Sequence, residues 1–483
     1  MLGFFNLAAF GTFGILPIEG AFCLAAVYTL YHAVWRGRQL RMPSKTYLYL
    51  ILAVWGVVAL SSASTIIQGD RLLVIQSLKT FSHFTFIVGT ALILLLLPLE
   101  SHHWRNALRF HFFVSFLIMV FGLYQLPARI LNLPLGWVEF SNVNFMRGIE
   151  EADPMTQLAL MYGNFYRATS LFNEPSALAV YGGTSLIMLI VPLFRRGTHI
   201  LHNRTFIWFS VVLTTIAVFL TFSLTGVMIL CASAVLLIVL YRQSVVKGLT
   251  VALVVGTALI GAADFVVYKT TDTSVLSLFA QRITSIASGR AADDEADAVE
   301  GESLTQRIAD YKTSVEIWRE SPILGVGPGN FSNSKFGRYH NSEFPATTYG
   351  SSLAELGLIG CTVVTIFLIA MYVGTQKEER NWTRSSIDKG NDIDALAIVL
   401  PFKALIIIFV GITGNFLVTG VFWFDVVFLV SCVSAVRRAM GSERLIEFQI
   451  VSAPWRSRLH TAWGMKSIHD ADHRRESNSS YHS

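Results

Sequence analysis

The sequence predicts an all-α protein, a polytopic integral membrane helical bundle of about 11–12 transmembrane helices with two long loops on one side. Of 483 residues, 53% are hydrophobic and only 14% are charged, whereas soluble domains carry roughly 25% charged residues. Apolar stretches long enough to cross a hydrocarbon core of ~30 Å recur along the chain, without the alternating pattern of a membrane β-barrel. This composition excludes a soluble fold.

Hydropathy divides the chain into six parts. We expect N-terminal transmembrane helices in residues 1–126, a first long loop in 127–176, central transmembrane helices in 177–267, a large loop with an amphipathic helix in 268–350, C-terminal transmembrane helices in 351–436 and a basic tail in 437–483. Residues 2–34 are interrupted by Pro17 and Glu19, so that two short helices or one long kinked helix both fit.

The positions of Lys and Arg predict the orientation. If the spans alternate, nearly all of the basic clusters between them fall on one side, which the positive-inside rule makes cytoplasmic. Arg71 and Lys79 are the exceptions. Both long loops are then periplasmic, and the basic tail is cytoplasmic. Loops of this length are uncommon unless they are functional.

The large loop contains an amphipathic helix by its pattern. Ser303 and Gln306 have capping-box spacing, and Pro322 ends the helix. Its apolar residues recur at helical spacing and predict a buried face, formed by Leu304, Ile308, Tyr311, Val315 and Trp318. Residues 291–302 just before it are strongly acidic without aromatic residues, and we interpret them as a solvated, mobile segment rather than a metal site.

Two charged residues of the first loop lie at the membrane boundary. Arg167 and Glu174 precede the span that begins after residue 176, and charge at this depth is costly unless it faces water or a partner. A functional role is one interpretation. The other is structural, because Pro175 suits the first turn of a helix and Glu174 would interact favourably with the helix dipole.

The large loop also carries arginines and a glycine-rich run. Arg282 and Arg307 could pair with phosphate through their planar guanidinium groups, or with lipid headgroups and acidic residues. Gly325, Gly327 and Gly329 predict a tight turn that lets backbone approach a ligand or another helix. A nucleotide-binding P-loop is excluded because no Gly-Lys-Ser/Thr follows and no strand precedes.

Two sequence runs carry a family resemblance. Residues 321–331 read Ser-Pro-Ile-Leu-Gly-Val-Gly-Pro-Gly-Asn-Phe, and residues 353–360 read Leu-Ala-Glu-Leu-Gly-Leu-Ile-Gly. Together with the helix topology, this pair resembles the O-antigen ligase and polymerase superfamily. Residues 172–176, Phe-Asn-Glu-Pro-Ser, further resemble the Phe-x-Glu-Pro-Ser element of its exopolysaccharide and capsule polymerases. The resemblance implies a multi-pass protein of the bacterial inner membrane.

The chain departs from the family pattern at two places. Family members often carry His-Asn shortly before the glutamate that matches Glu355, but here Ala346 and Thr347 occupy that place, and His340 lies six residues before Ala346. A Thr-x-Ser-Arg-Gly type of element is present only as Thr-Phe-Ser-Leu-Thr-Gly at residues 221–226, without its arginine.

The resemblance implies a glycosyltransferase whose donor is a polyprenyl-pyrophosphate-linked glycan and whose acceptor is a sugar hydroxyl of another lipid-linked repeat. We assign pyrophosphate or substrate binding to Arg167, Arg282, Arg307 and Asn330. Among the arginines, Arg167 is the first candidate, Arg282 the second and Arg307 the third. Glu174 is the first candidate for the catalytic base and His340 the second. Structural or orienting roles fall to Gly325, Gly327, Gly329 and Glu355.

The same scheme needs no cofactor and no metal, because arginine can take the place of a divalent ion beside the pyrophosphate. The partners that it implies are the lipid-linked donor and acceptor, membrane lipid, and possible chain-length regulator and flippase proteins of the same pathway. The basic residues lie mainly in short loops, where they set orientation, so we predict no nucleic-acid partner.

Two other functions fit the sequence. A ligase that transfers finished glycan to lipid A core or to protein would share fold and donor. A transporter of polysaccharide or lipid-linked sugar would be expected to show internal repeats, broken helices and charges near the bilayer midplane. We find no convincing repeat, and the exceptional charges are Asp264, Lys403 and Asp425, of which the last two could form a structural pair.

Overall fold

The fold consists of helices arranged as a membrane bundle, and the all-α prediction is confirmed. The computed structural model describes residues 8–10, 13–15, 17–35, 40–42, 44–97, 99–138, 157, 161–162, 165–172, 174–194, 199–241, 256–258, 260–269, 274, 276–277, 280, 295–340, 345, 347–385, 391–441 and 446–448. The helices are α1 (Pro17–Trp35), α2 (Lys45–Gln68), α3 (Arg71–Leu95), α4 (Ser101–Ile130), α5 (Pro175–Ile190), α6 (Arg204–Phe219), α7 (Leu224–Tyr241), α8 (Glu295–Glu320), α9 (Lys335–Tyr339), α10 (Thr348–Arg384), α11 (Asn391–Thr413) and α12 (Gly420–Ala439).

In the described parts of the chain, three short antiparallel strand pairs accompany the helices. They are β1 (Ala8–Phe10) with β2 (Phe13–Ile15), β3 (Leu40–Met42) with β6 (Ile446–Phe448), and β4 (Met161–Tyr162) with β5 (Phe165–Tyr166). The described part of residues 2–34 folds as the strand pair β1–β2 followed by one helix, α1, which begins at Pro17. Proline favours the first turn of a helix, so Pro17 begins this helix instead of interrupting a longer one.

Within the residues that the structure describes, seven helices are long and apolar enough to cross a membrane: α2, α3, α4, α5 with its continuation to Leu193, α10, α11 and α12. α6 and α7 are apolar but shorter. Two helix ends differ from the hydropathy boundaries. α4 continues through Pro127 to Ile130, so the first long loop begins after that residue, and α10 begins at Thr348 and extends to Arg384.

α10 lies at the centre of the packing and contacts α2, α8, α11 and α12. α3 packs between α1, α2 and α12, and α5 packs on α6 and α7. Small residues allow the closest approaches between membrane helices, and a Cβ atom on Gly182 of α5 would lie 2.6 Å from Cγ2 of Val218. We call the end at which α2 meets α3, between Gln68 and Arg71, the loop end of the bundle.

The buried face of α8 is not the one that the sequence pattern predicts. Ile308 and Tyr311 are about half exposed, whereas Thr313, Ser314 and Ile317 are buried, and α8 packs on α10. The reason is the surface that α8 meets: a Cβ atom on Gly350 of α10 would lie 2.9 Å from the Ser314 hydroxyl. Small and polar residues fit this contact, and an apolar face at the edge of a membrane bundle can face lipid.

The acidic segment before this helix is also different from the prediction. α8 already begins at Glu295, so residues 295–302 are helical and do not form the mobile segment expected there. Acidic residues interact favourably with the positive end of the helix dipole, which explains why this composition is compatible with the first turns of a helix. Residues 291–294 lie outside the described residues.

An ion pair joins the last two helices inside the bundle. The Lys403 Nζ of α11 lies 2.8 Å from Oδ2 of Asp425 in α12, and both side chains are largely buried. This is the pairing that the sequence left open as a structural role. It accounts for two of the three charged residues that stood out in the apolar spans.

The ion pair leads to a prediction for stability. Lys403→Met or Asp425→Leu leaves an uncompensated buried charge, so each should lower the free energy of unfolding by about 3–5 kcal/mol. The double variant Lys403→Met/Asp425→Leu leaves no charge and should return to within roughly 1 kcal/mol of the wild type. Thermal unfolding of the four proteins in detergent measures the coupling. Additive effects of the two substitutions would contradict a direct pair.

Candidate active site

The backbone of α10 is broken at Gly357, whose φ of 68° and ψ of −166° are not helical. A break in a membrane helix leaves N–H and C=O groups without helical partners, and these groups need other partners away from water. The loop segment at residues 322–327 provides them. Four backbone hydrogen bonds join the two: Leu358 N–H to Pro322 O (2.9 Å), Ile359 N–H to Ile323 O (3.3 Å), Val326 N–H to Ala354 O (3.1 Å) and Gly327 N–H to Glu355 O (3.0 Å).

Glycines on both sides make this contact possible. A Cβ atom on Gly325, where φ is 71°, would lie 2.3 Å from the backbone carbon and oxygen of Glu355. A Cβ atom on Gly357 would lie 2.3 Å from the carbonyl oxygen of Ile323. No side chain fits at either position without moving backbone. The two sequence runs that carry the family resemblance are therefore the two halves of one contact.

The rest of the glycine-rich run rests on α2 and α3. A Cβ atom on Gly327 would lie 2.2 Å from Cγ2 of Thr65, and one on Gly329 would lie 2.2 Å from Oγ1 of Thr80. The Ser61 hydroxyl donates a hydrogen bond of 2.7 Å to the carbonyl oxygen of Glu355. The run is thus held between the loop end of α2 and α3 on one side and the broken helix on the other.

Glu355 holds the end of the same run. Its side chain is buried, its Oε1 accepts a hydrogen bond of 3.3 Å from the backbone N–H of Phe331, and its Oε2 accepts one of 3.2 Å from the Ser351 hydroxyl. A carboxylate that accepts a loop N–H from within a helix fixes the loop relative to that helix. These contacts support the orienting role predicted for Glu355.

Asn330 is fully buried in this contact. Its Nδ2 donates hydrogen bonds to the carbonyl oxygens of Leu73 (2.9 Å) and Val326 (3.1 Å). Its Oδ1 and the nearby Ser77 hydroxyl have no hydrogen-bond partner among the described residues. The amide therefore fastens the loop to α3, and the substrate contact predicted for Asn330 remains a prediction.

A second cluster is organised by Arg129, a buried arginine near the end of α4. Its guanidinium donates to the carbonyl oxygens of Gly136 (2.8 Å) and Arg167 (2.7 Å) and to Oε1 of Gln157 (2.7 Å). Its guanidinium carbon also lies 4.5 Å from the ring centre of Trp137. One side chain thus gathers three separate parts of the first long loop.

Arg167 is buried in the same cluster and reaches the turn between α6 and α7. Its Nε donates a hydrogen bond of 2.9 Å to the carbonyl oxygen of Thr221, and its Nη2 donates one of 3.3 Å to that of Phe222. This turn belongs to the element at residues 221–226 that lacks the arginine of the family pattern. A guanidinium group is therefore present at this turn, although it comes from the first long loop.

Glu174 is the residue that directly precedes α5, with Pro175 in the first turn. Its Oε2 accepts a hydrogen bond of 2.9 Å from the Ser176 hydroxyl. Phe172, two residues before it, packs in one apolar cluster with Leu178 and Phe222. The segment that resembles the polymerase element is thus fixed against α5 and the turn between α6 and α7.

His340 follows the short helix α9 and pairs with Glu316 of α8. The Nε2 of His340 lies 2.7 Å from Oε2 of Glu316, and each side chain is 38% exposed. Of the remaining predicted residues, Arg282 lies outside the described residues, and Arg307 lies in α8 with its side chain outside the description. The contacts described here connect the predicted residues within two groups, one around Arg167 and Glu174 and one around the glycine-rich run.

Comparison with known families covers the glycine-rich run and the turn that Arg167 contacts, whereas Arg167 and Glu174 themselves precede the matched residues. Residues 209–364 match a family model described as O-antigen ligase, which confirms the resemblance to the O-antigen ligase and polymerase superfamily. The matched part contains the turn that Arg167 contacts and both halves of the contact at Gly357. This match supports a membrane function of the O-antigen ligase or polymerase type. It also supports an enzyme that resembles a glycosyltransferase and acts in polysaccharide processing. No curated protein matches the chain.

Two site residues were missed from the sequence. Arg129 lies just after the predicted span that ends at residue 126. A charged residue within a membrane span indicates a buried partner or a functional site, but the hydropathy boundary placed Arg129 outside the span. Glu316 lies within a predicted amphipathic helix, in which a charged residue is expected on the solvent-exposed face. Its pairing with His340 depends on how α8 and α9 pack and could not be read from spacing.

The contact at Gly357 yields a prediction with a matched control. Gly325→Ala should lower the free energy of unfolding by about 3 kcal/mol, because it adds a backbone clash to the cost of a positive φ. Gly69→Ala has a similar φ of 77° with nothing within 4 Å of the added Cβ and should cost only about 1 kcal/mol. Thermal unfolding in detergent compares the two. Equal losses would mean that the close approach at Gly325 is unimportant.

Proposed function

We propose that this protein is a bacterial inner-membrane glycosyltransferase that polymerises polyprenyl-pyrophosphate-linked oligosaccharide repeat units into exopolysaccharide, capsule or O-antigen at the periplasmic face. One observation carries the proposal. Arg167 donates to the carbonyl oxygens of Thr221 and Phe222, and Phe172 of the segment that resembles the polymerase element shares an apolar cluster with Phe222. This turn lies inside the region that matches the O-antigen ligase family.

The reaction transfers a glycan from one lipid carrier to another. The bond between the anomeric carbon of the donor and its pyrophosphate oxygen breaks, and the electron pair leaves with the polyprenyl pyrophosphate. An acceptor hydroxyl forms the new bond to the anomeric carbon, and its proton passes to a base of the protein. The products are a lengthened glycan on the acceptor lipid and a free polyprenyl pyrophosphate.

The leaving pyrophosphate gains negative charge as the bond breaks, so fixed cations in the right place lower the barrier. Arg167 suits this task because its guanidinium is held by two backbone carbonyl oxygens, which orient a cation without changing its charge. Arg129 positions the backbone of Arg167 through its own hydrogen bond to the Arg167 carbonyl. Arg282 and Arg307 remain proposed contributors from the large loop.

Two side chains are candidates for the base. Glu174 lies at the start of α5 in the same segment as Arg167, and its carboxylate already accepts a hydrogen bond from Ser176. His340 lies on the large loop and is paired with Glu316. A base has to reach the acceptor hydroxyl within hydrogen-bond distance, and both groups are partly accessible.

The role of Arg167 is testable in cells. In a deletion strain, Arg167→Ala should reduce polymer formation by about 100-fold relative to the wild-type gene, the usual effect of removing one transition-state charge contact. Arg109→Ala is the matched control, because Arg109 also donates to a loop carbonyl, that of Ile200, but belongs to the other end of α4. The surface polysaccharide profile and the membrane level of each variant are measured together.

The same profile separates the possible functions. Single lipid-linked or surface-attached repeats in place of long polymer in the deletion strain support a polymerase. Long polymer that accumulates on the lipid carrier would mean a ligase instead. An unchanged profile in the deletion strain would overturn both.

A further inference from the structure

His340 and Glu316 form a carboxylate–imidazole pair at the surface of the large loop. The distance of 2.7 Å between Nε2 and Oε2 is that of a short, charge-assisted hydrogen bond. The imidazole ring is also bordered by aromatic rings, with the Phe336 ring 6.5 Å away and nearly parallel and the Tyr339 ring 4.9 Å away and perpendicular. These contacts restrict how the imidazole can turn.

The backbone of His340 is fixed by a series of hydrogen bonds that begins at the broken helix. Glu355 accepts from the N–H of Phe331, the Ser334 hydroxyl donates to the carbonyl oxygen of Phe331, and the same hydroxyl accepts from the N–H of Gly337. The N–H of His340 then donates to the carbonyl oxygen of Phe336 at 2.9 Å. The histidine is therefore held at a defined place relative to α10.

Glu316 reaches the pair from a second fixed element. Its neighbours Thr313, Ser314 and Ile317 are buried, and α8 packs along α10 on this side. α9, which precedes His340, packs in turn on α8. Exposed ion pairs between flexible side chains contribute little, but a pair whose two backbones are already fixed loses less entropy when it forms.

The pairing has a chemical consequence for the histidine. A neutral imidazole carries one N–H and one nitrogen with a lone pair. A carboxylate at Nε2 favours the form in which Nε2 carries the proton, which leaves the lone pair on Nδ1.

We propose that Glu316 is a positioning residue that holds His340 with its proton on Nε2, so that Nδ1 accepts the proton of the acceptor sugar hydroxyl. The step rests on the proposed glycosyl transfer. The hydroxyl oxygen bonds to the anomeric carbon, its proton moves to Nδ1, and the pyrophosphate leaves with the electron pair of the broken bond. The proposed step uses His340, and not Glu174, as the base.

The first test needs no substrate. The wild-type protein, labelled with nitrogen-15 histidine and reconstituted in lipid nanodiscs, should give a His340 signal with a protonated Nε2 and a bare Nδ1, assigned by its loss in His340→Gln. Glu316→Gln should shift this form toward a mixture of tautomers. Glu320→Gln, one helical turn further along α8, is the matched control. The other charged or titratable groups whose side chains are described on the two elements are the same in all variants: Asp310, Tyr311, Lys312, Arg319, Lys335, Arg338 and Tyr339.

The second test uses lipid-linked repeat units extracted from the deletion strain. Glu316→Gln should lower kcat by about 10–100-fold with KM unchanged, because the bound substrate meets a wrongly oriented base. Glu316→Asp should restore part of the rate, and Glu320→Gln should match the wild type. In a His340→Gln background, Glu316→Gln should have no further effect.

The outcomes distinguish the two proposals. If the wild type does not lengthen lipid-linked repeats, the proposed function fails, whatever the histidine spectrum shows. If the wild type does so and Arg167→Ala does not, but His340→Gln or Glu316→Gln keeps the full rate, the proposed function stands and the role of this pair is overturned. An unaltered tautomer in Glu316→Gln would also overturn it.

Discussion

The exchange of backbone hydrogen bonds at Gly357 is the constraint on which the loop end depends. One non-helical residue in α10 removes the helical partners of two N–H groups and two C=O groups, and the segment at residues 322–327 pairs with all four. In a membrane bundle such a break is tolerated where other backbone satisfies it. The loop is therefore part of the folded bundle and not an appendage, and elements that follow it, including α9, inherit a fixed position.

The first long loop is fixed by a different means. Here a single buried guanidinium, that of Arg129, collects carbonyl and amide oxygens from several parts of the loop, and Arg167 does the same for the turn between α6 and α7. Arginine suits this because its planar group donates in several directions at once. Apart from the ion pair between Lys403 and Asp425, the helix contacts described above rest on small and apolar residues, whereas both loops are held by polar groups that bind backbone atoms.

Much of the fold follows from the sequence, because long apolar runs leave few alternatives in a membrane. Helix ends were less predictable: Pro127 lies inside α4, and hydropathy gives no reason to continue a helix through proline. The predicted buried face of α8 was wrong because periodicity identifies an apolar stripe but not the surface that the stripe contacts. In the structure Ser314, and not Tyr311, contacts α10. The two glycine-containing runs were recognised, yet their mutual contact depends on a positive φ at Gly357 that only the folded chain reveals.

The strand pair β3–β6 connects distant parts of the chain, with Leu40 opposite Phe448. β3 lies between the first two helices and β6 follows the last one, and α1 and α3 also contact α12. Because a chain emerges from the ribosome from its N-terminus, the earliest helices enter the membrane long before their final neighbours exist. The end of the bundle opposite the loop end is thus the last to close, and synthesis has to reach the residues after α12 before the first inserted helices acquire their native surroundings.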